Sequence, residues 1–344
     1  MRMKTLLTTA LFAKEGEALA QVALPHTWNA LDGQDGGNDY WRGIGTYEID
    51  LPDPTKGKKQ YIELQGANHV ATVYCNGREL GTHKGGFSTF RYDLTPAMKP
   101  SGNVLTVVVS NAPSDIYPQN ADFTFYGGLY RDVNYIEVAD AHYDLLMDGT
   151  DAVFVTPHVS GKTRVDLFPV NADGCTLKVE LKDAEGNVVG TATTEASEHA
   201  HVLIDVKDVR KWNGLADPYC YTAAASIVSG EEVLDAVTVT YGYRSYHVDP
   251  NTGFWLNGKN VPLHGVARHQ DRLEGAGPSP RLTMRRMLPS LRSWAPILSV
   301  WPTTSTISTS MTCVIRKALS CGQRSPSSPS SSPPMRPTRT PFLR

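Results

Sequence analysis

The five cysteines are the first side chains that could do chemistry, either as metal ligands or as disulfides. They are Cys75, Cys175, Cys220, Cys313 and Cys321. Their number is odd, their spacing is wide and no Cys-X-X-Cys pair occurs, whereas zinc sites and disulfide frameworks need closer or paired cysteines. The sequence therefore indicates reduced, mostly buried thiols.

Carboxylates can act as general acids, general bases or nucleophiles, so their distribution along the chain matters. All 35 acidic residues lie in the first part of the chain, and the last of them is Glu274. Residues 281–344 instead contain nine Arg and one Lys among many Ser, Thr and Pro residues. An acidic body is thus joined to a basic tail, and the two parts need separate explanations.

The whole chain has 344 residues and a formal net charge of −2. At roughly 100–200 residues per domain, this length predicts two or three domains. The charge gives no electrostatic reason to expect a nucleic-acid or membrane-surface partner. No apolar run approaches the roughly 20 residues that a membrane-spanning helix needs.

The elements that position these side chains are predicted to be β-strands. Segments such as Gln60–Leu64, Val70–Cys75 and Val104–Ser110 are short and rich in β-branched and aromatic residues. Asn76-Gly77 favours the positive φ angles of a tight hairpin. This pattern predicts a jelly-roll sandwich over residues 1–141.

A second β-rich region covers residues 142–244. Its strand candidates are Arg164–Phe168, Thr176–Leu181, Val188–Thr193, Val202–Val206, Tyr219–Ser226 and Ala236–Tyr241. Roughly seven short strands in about 100 residues are typical of an immunoglobulin-like sandwich. A third pattern begins near Tyr246, where Asn257-Gly258 predicts a hairpin ahead of the apolar Val261–Val266.

The N-terminus has some features of a secretory signal. Arg2 and Lys4 precede a modestly apolar run, Leu6–Ala13, but Lys14 and Glu15 follow at once. A signal peptide would have a small-residue cleavage site there. We therefore predict a first β-strand and a cytoplasmic protein.

Four stretches resemble one known family, in order and with its spacing. They are LPHTWNALDGQDGGNDYWRG (Leu24–Gly43), CNGRELGTHKGGFSTFRYDLT (Cys75–Thr95), DFTFYGGLYRDV (Asp122–Val133) and GFWLNGKNVPLHGVARHQDR (Gly253–Arg272). Together they resemble the N-terminal part of a family 2 glycoside hydrolase, in its β-galactosidase branch. The resemblance covers about residues 10–275.

The resemblance implies a jelly roll, an immunoglobulin-like domain and then a (β/α)8 barrel that holds the active site. Residues 245–280 would be the start of the barrel, with only its first strand near His264. We expect residues 281–344 to be a disordered tail, because Ser325–Pro334 has the composition of a disordered segment.

The resemblance also assigns substrate-facing residues. Asp122 aligns with a carboxylate that reaches the sugar and helps to hold a monovalent cation, so it is the candidate metal ligand. His269 aligns with a histidine that contacts sugar hydroxyls. Asp39, Tyr40 and Trp41 occupy a loop near the sugar, where Trp41 could stack on a sugar ring. In each case a purely structural role is the alternative.

The catalytic pair of the family is missing from this chain. Retaining glycosidases use two carboxyl groups about 5–5.5 Å apart, one as nucleophile and one as acid and base. In family 2 both are glutamates at the ends of later barrel strands, where barrel enzymes assemble their sites. Because no acidic residue follows Glu274, neither glutamate is present, and we predict no activity for the chain alone.

A change of reading frame explains the basic tail. Trp294–Thr304 can be back-translated so that a one-nucleotide shift reads Leu-Gly-Ala-Asn-Thr-Val-Arg-Leu-Ala-His-Tyr-Gln, which resembles the next barrel segment of the family. The same shift over Cys313–Ser328 restores acidic residues and alternating apolar ones. We infer a frameshift between Arg272 and about Arg281. Out-of-frame residues were never selected for the barrel's polar and apolar pattern.

The function that the resemblance implies is a retaining β-galactosidase acting on terminal β-D-galactosides such as lactose. The alternatives are a non-catalytic carbohydrate-binding or complementing module and another family 2 specificity, β-glucuronidase or β-mannosidase. Arg268–Arg272, RHQDR, favours the galactosidase. The expected partner of the full-length enzyme is a β-galactoside, with homo-oligomers, Mg²⁺ and Na⁺ as further candidates. No nucleic-acid or membrane partner is expected.

Overall fold

The computed structural model describes residues 1–32, 40–117, 119, 125–214, 216–268, 298–302 and 320–321. Within these residues the chain is built from β-strands, and its one helical element is the 3-10 turn Thr95–Ala97. No helix in this part of the chain is long and apolar enough to cross a membrane. The predicted all-β fold class is therefore confirmed.

The first sandwich contains ten of the described strands. They are β1 (Met3–Leu7), β2 (Thr9–Lys14), β3 (Ala20–Ala23), β4 (Ile44–Leu51), β5 (Lys59–Leu64), β6 (Val70–Cys75), β7 (Arg78–Lys84), β8 (Phe90–Asp93), β9 (Asn103–Ser110) and β10 (Val133–Val138). All pairs are antiparallel, in a sheet of order β1-β10-β5-β8 and a sheet of order β3-β2-β4-β9-β6-β7. The N-terminal segment is extended, as predicted, but it forms two strands in different sheets, β1 and β2, where the sequence predicted one.

Alternating side chains explain why these segments fold as strands. Leu105, Val107 and Val109 are fully buried, while the residues between them are partly exposed. Val107 lies opposite Val73 on one side and Tyr47 on the other. Each fully buried Val or Leu side chain contributes about 1.5–3 kcal/mol to stability, so this row anchors the core.

The hairpin between β6 and β7 has the predicted turn. Asn76 and Gly77 have φ angles of 51° and 81°, which is the conformation that Asn-Gly supplies most readily. The thiols also follow the prediction where they are described: Cys75 and Cys175 are buried, Cys220 is partly buried, and all three are reduced thiols outside any disulfide.

The second sandwich spans the next nine strands. They are β11 (His142–Tyr143), β12 (Val153–Pro157), β13 (Lys162–Leu167), β14 (Pro169–Val170), β15 (Thr176–Lys182), β16 (Val188–Glu195), β17 (Ala200–Asp205), β18 (Tyr221–Ser229) and β19 (Glu232–Tyr241). A sheet of order β12-β13-β17 faces one of order β16-β15-β18-β19, and β11 pairs with β14. Fully buried residues such as Val165, Leu177 and Ile227 form its core.

Two smaller sheets follow. An antiparallel sheet contains β20 (Tyr246–Asp249), β21 (Gly253–Leu256) and β22 (Lys259–Asn260). A parallel sheet contains β23 (His264–Arg268), β24 (Leu298–Pro302) and β25 (Ser320–Cys321). The parallel sheet has two strands more than the single barrel strand expected from the sequence. Leu298–Pro302 includes Leu, Val and Trp, which favour a β-strand even though we infer that this segment is translated out of frame. The expected disorder of the tail falls largely outside the described residues.

Candidate functional site

Three of the four family-like stretches meet at one end of the first sandwich. The backbone N–H of His26 donates to the carbonyl of Leu129 at 2.8 Å, which joins the first stretch to the third. The hydroxyl of Tyr130 donates to the carbonyl of Gly86 at 2.6 Å, which joins the third stretch to the second. We call this end of the sandwich the loop end. It is the part of the described chain where these three stretches come together, and it contains Tyr40 and Trp41 of the predicted site.

A buried pair of asparagines organises the loop end. Asn29 and Asn111 are 0% and 2% exposed. The Asn111 amide donates to the Asn29 side-chain oxygen at 3.2 Å, and that oxygen also accepts the backbone N–H of Gly127 at 2.8 Å. Buried amides of this kind must be fully hydrogen-bonded, so they fix the loops that they join.

The asparagine pair holds Trp41 by its backbone. The carbonyl of Trp41 accepts the side-chain amides of Asn29 at 3.0 Å and Asn111 at 3.1 Å. Its N–H donates to the carboxylate of Asp32 at 2.9 Å, and the same carboxylate oxygen accepts Asn29 at 2.8 Å. Asp32 therefore has a structural part in the loop.

The indole of Trp41 is held as firmly as its backbone. It packs edge-on against Trp28, with 5.4 Å between ring centroids and an interplanar angle of 85°. The ammonium of Lys14 lies 4.8 Å from the centroid of the Trp41 ring, a cation–π contact that stabilises this placement. A Cβ at Gly43 would lie 2.6 Å from the indole, so glycine is required there. Stacking of Trp41 on a sugar stays a prediction.

The neighbouring residues extend the connection. Tyr40 is 38% exposed at the surface of the loop. The guanidinium of Arg42 donates to the carbonyl of Gln119 at 2.6 Å, and the N–H of Gly43 donates to the Asn111 side chain at 2.9 Å. The loop of Tyr40 and Trp41 is thus bound to the segment that precedes Asp122 in the sequence.

The other three predicted site residues, Asp39, Asp122 and His269, lie outside the described residues. Asp122, the candidate ligand of a monovalent cation, is one of these three. In the described part of the chain no group of three or more His, Cys, Asp or Glu side chains could hold a metal ion.

The structure adds residues that the sequence did not single out. The fully buried His69 lies 4.2 Å from the ring of Tyr117, centroid to centroid. The Tyr117 hydroxyl donates to the side chain of Asn68 at 3.0 Å and accepts the N–H of Gly86 at the same distance. Only their position between the motif stretches could have pointed to His69 and Asn68, because both precede the recognisable Cys75–Thr95 stretch.

Burial controls ionisation at the loop end. Burial, with a smaller contribution from the nearby Lys14 ammonium, lowers the pKa of His26 to about 4. Nδ1 of the neutral His26 forms a hydrogen bond of 2.8 Å with the hydroxyl group of Tyr47. Burial likewise raises the pKa of Tyr117 and Tyr130, the latter to about 12. At neutral pH the side chains of His26, Tyr117 and Tyr130 are therefore uncharged and form hydrogen bonds as neutral groups.

Two family models match the chain, each over one block of residues in one of the two sandwiches. Residues 21–139 match the model described as "Glycosyl hydrolases family 2, sugar binding domain", and residues 151–244 match the model "Glycosyl hydrolases family 2". The loop end lies within the first block.

Individual relatives agree with the family models. A β-glucuronidase of Bacteroides fragilis is 35% identical over 271 residues, which is 74% of this chain and 39% of the relative. A β-galactosidase of Thermoanaerobacter pseudethanolicus is 28% identical over 72% of this chain and 35% of the relative. The chain thus spans less than two fifths of these two curated relatives.

A solved structure shows the same fold. The crystal structure of an FMN-binding β-glucuronidase from Facaelibacterium prausnitzii L2-6 has a TM-score of 0.84 and 33% identity, covering 93% of this chain and 52% of that one. Together with the two family models, this similarity extends over both sandwiches. The chain belongs to glycoside hydrolase family 2.

Proposed function

We propose that the chain forms the N-terminal part of a retaining β-glycosidase that removes a terminal sugar from a β-D-glycoside. The observation that carries this proposal is the loop end, where three family-like stretches converge around Trp41. In such an enzyme the first sandwich would present Tyr40 and Trp41 to the sugar, while the barrel would supply the carboxylate pair.

A β-glucuronide is the first candidate substrate. The Bacteroides fragilis relative and the Facaelibacterium prausnitzii structure are both named β-glucuronidases, at 35% and 33% identity. This support is stronger than the support for a β-galactoside, which comes from the Thermoanaerobacter pseudethanolicus relative at 28% identity and from Arg268–Arg272. The β-galactoside predicted from the sequence is therefore the second candidate.

We further propose that the chain as written has no glycosidase activity. No acidic residue follows Glu274, so the two glutamates of the family are not encoded in this frame. The rival proposal is a non-catalytic sugar-binding or complementing module. Most of a family 2 sugar pocket would be formed by barrel loops, so we expect no measurable binding of free sugar.

The experiment starts from the gene. Its nucleotide sequence through the codons for Arg272–Arg281 is determined, and one nucleotide is added or removed to restore the expected frame. The restored protein is assayed on p-nitrophenyl β-D-glucuronide and β-D-galactoside. We expect hydrolysis, with the glucuronide preferred. Preference for the galactoside would select the second candidate, and hydrolysis of neither would reject a β-glycosidase of these two specificities.

Calorimetry separates the rival module from the proposed enzyme part. Glucuronate and galactose are titrated into the purified chain. Binding at millimolar concentration or tighter would support a carbohydrate-binding module, whereas no heat of binding agrees with a pocket completed by the barrel.

A further inference from the structure

The side-chain amide of Gln119 fixes the protonation state of His69. The Nε2 atom of Gln119 lies 3.3 Å from the carbonyl of Asn111 and 3.5 Å from the carbonyl of Ala112. Carbonyl oxygens only accept hydrogen bonds, so the NH₂ group, not the amide oxygen, must point toward them.

This orientation decides the histidine tautomer. The same Nε2 of Gln119 lies 3.0 Å from Nδ1 of His69, so the amide donates and Nδ1 accepts. The Ser114 hydroxyl also approaches Nδ1, at 3.3 Å. A ring nitrogen that accepts carries no proton, so His69 is neutral with its hydrogen on Nε2. This Nε2 is buried and has no hydrogen-bond partner among the described residues.

Two structural links meet at this contact. Gln119 belongs to the stretch after β9, and its carbonyl accepts the guanidinium of Arg42. The contact between His69 and Gln119 therefore joins the end of the sheet that contains β6 and β9 to the loop of Tyr40 and Trp41. It spans 50 positions in the sequence.

We propose that His69 is a pH-sensitive latch: its neutral Nδ1 holds Gln119, and through it the carbonyls of Asn111 and Ala112, against the loop end, and protonation of Nδ1 releases Gln119. The added proton would place two N–H donors face to face, because the carbonyls of Asn111 and Ala112 prevent the Gln119 amide from turning. The link through Arg42 would then loosen too. Under the proposed function, this release would also alter sugar binding. The latch itself does not depend on the proposed function.

The surroundings of His69 set the direction of the pH effect. In the described part of the chain, the charged and titratable groups that face it are Arg42 and Tyr117. Burial lowers the pKa of His69 below 6.5, and the positive charge of Arg42 lowers it further. Tyr117 stays neutral because burial raises its pKa. The latch is therefore closed at neutral pH and opens only at a pH below the ordinary histidine value of 6.5.

Hydrogen exchange on the full chain tests the latch. Peptides covering residues 111–119 are compared at about pH 7.5 and about pH 4, because the pKa of His69 lies below 6.5, and the rates are corrected for intrinsic exchange. Loss of one hydrogen bond should raise their exchange about three- to tenfold at the lower pH. Peptides from Thr176–Lys182 in the second sandwich should not change in parallel. Equal protection of 111–119 at both pH values, or a parallel change in both regions, would overturn the proposal.

Substitutions of His69 test whether the pH dependence of hydrogen exchange comes from its Nδ1 atom. His69→Asn places an amide oxygen about where Nδ1 lies and cannot be protonated, so it should keep the protection and lose its pH dependence. His69→Leu removes the acceptor and should exchange rapidly at both pH values. His199→Asn, at an exposed histidine of the second sandwich, is the matched control. A pH dependence that persists in His69→Asn would overturn the latch, even if His69→Leu does not fold.

Discussion

The guanidinium of Arg2 binds the carboxylate of Asp235, although 233 positions separate them in the sequence. Nε of Arg2 lies 3.2 Å from Oδ1 of Asp235, and Nη2 lies 2.8 Å from Oδ2. Nη1 also donates to Asp151 at 3.0 Å. The Asp235 side chain is fully buried, and its Oδ2 accepts the N–H of Tyr143 at 2.9 Å. Arg2, which precedes β1 of the first sandwich, thus links the first sandwich to the second.

Replacing Arg2 should weaken this junction strongly. Arg2→Met leaves the buried carboxylate of Asp235 without its cation, a defect that typically costs about 3–5 kcal/mol. Urea denaturation of the full chain at neutral pH measures the change in the free energy of unfolding. Arg164→Met, which breaks the exposed pair with Asp166, is the control and should have a much smaller effect. Equal effects of the two substitutions would show that Arg2 has no special part in the junction.

Glu63 predicts a pH dependence of stability. Burial raises the pKa of this carboxyl, but Arg91 and Lys4 outweigh burial and hold it below 4.5. Arg91 lies 2.6 Å from Oε2 of Glu63, and Lys4 lies 2.6 Å from Oε1. A lowered pKa means that the ionised form stabilises the fold above pH 4.5 and that this contribution is lost as the pH falls.

The test compares the protein with its Glu63→Gln variant. At neutral pH the variant should be less stable by about 2–4 kcal/mol, since the neutral amide cannot pair with the buried Arg91. The difference should shrink when denaturation is repeated below pH 4.5. A difference that stays constant with pH would mean that the charge of Glu63 contributes nothing.

Gly128 lies where no other residue fits. Its φ is +98°, and a Cβ would lie 2.3 Å from the hydroxyl of Tyr47. Gly128→Ala should therefore destabilise the chain by about 2–4 kcal/mol, through overpacking and backbone strain together. Gly77→Ala is the matched control, because its φ of +81° is similar but no atom lies within 4 Å of the added Cβ. Thermal melts that shift equally for both variants would contradict the close approach to Tyr47.

His26 should remain neutral well into the acid range. Its pKa of about 4 is caused by burial and by Lys14. NMR titration of the imidazole signals should show His26 changing ionisation near this value. Because the pKa is lowered in the folded state, stability falls as the pH drops from 6.5 toward about 4. Titration near 6.5 would show that the ring is solvated and not bound to Tyr47.

The sequence predicted local features better than long-range contacts. Val70–Cys75 was predicted with its exact observed bounds, because alternation and the following Asn-Gly turn specify both the strand and its end. Ala236–Tyr241 was predicted too short, since β19 begins at Glu232. The charged Asp235 interrupts the apolar pattern, and its contacts with Arg2, from the first sandwich, and with the N–H of Tyr143 explain its burial.

The candidate site shows the same limit. The sequence located the Trp41 loop through its motif, but the partners that hold it, Asn29 and Asn111, are 82 positions apart. His69 could not be recognised from local pattern, because its role depends on Gln119 from a distant loop. Contacts of this kind arise from packing of the two sheets, which strand periodicity does not encode.

Hydrolysis by the purified full chain tests the central claim most directly. The claim is that this chain holds the two sandwiches of a family 2 glycosidase without the carboxylate pair that cleaves the sugar bond. Incubated with p-nitrophenyl β-D-glucuronide or β-D-galactoside, the chain should release no more p-nitrophenol than a blank without protein. Release that follows the protein through size-exclusion chromatography would contradict the claim.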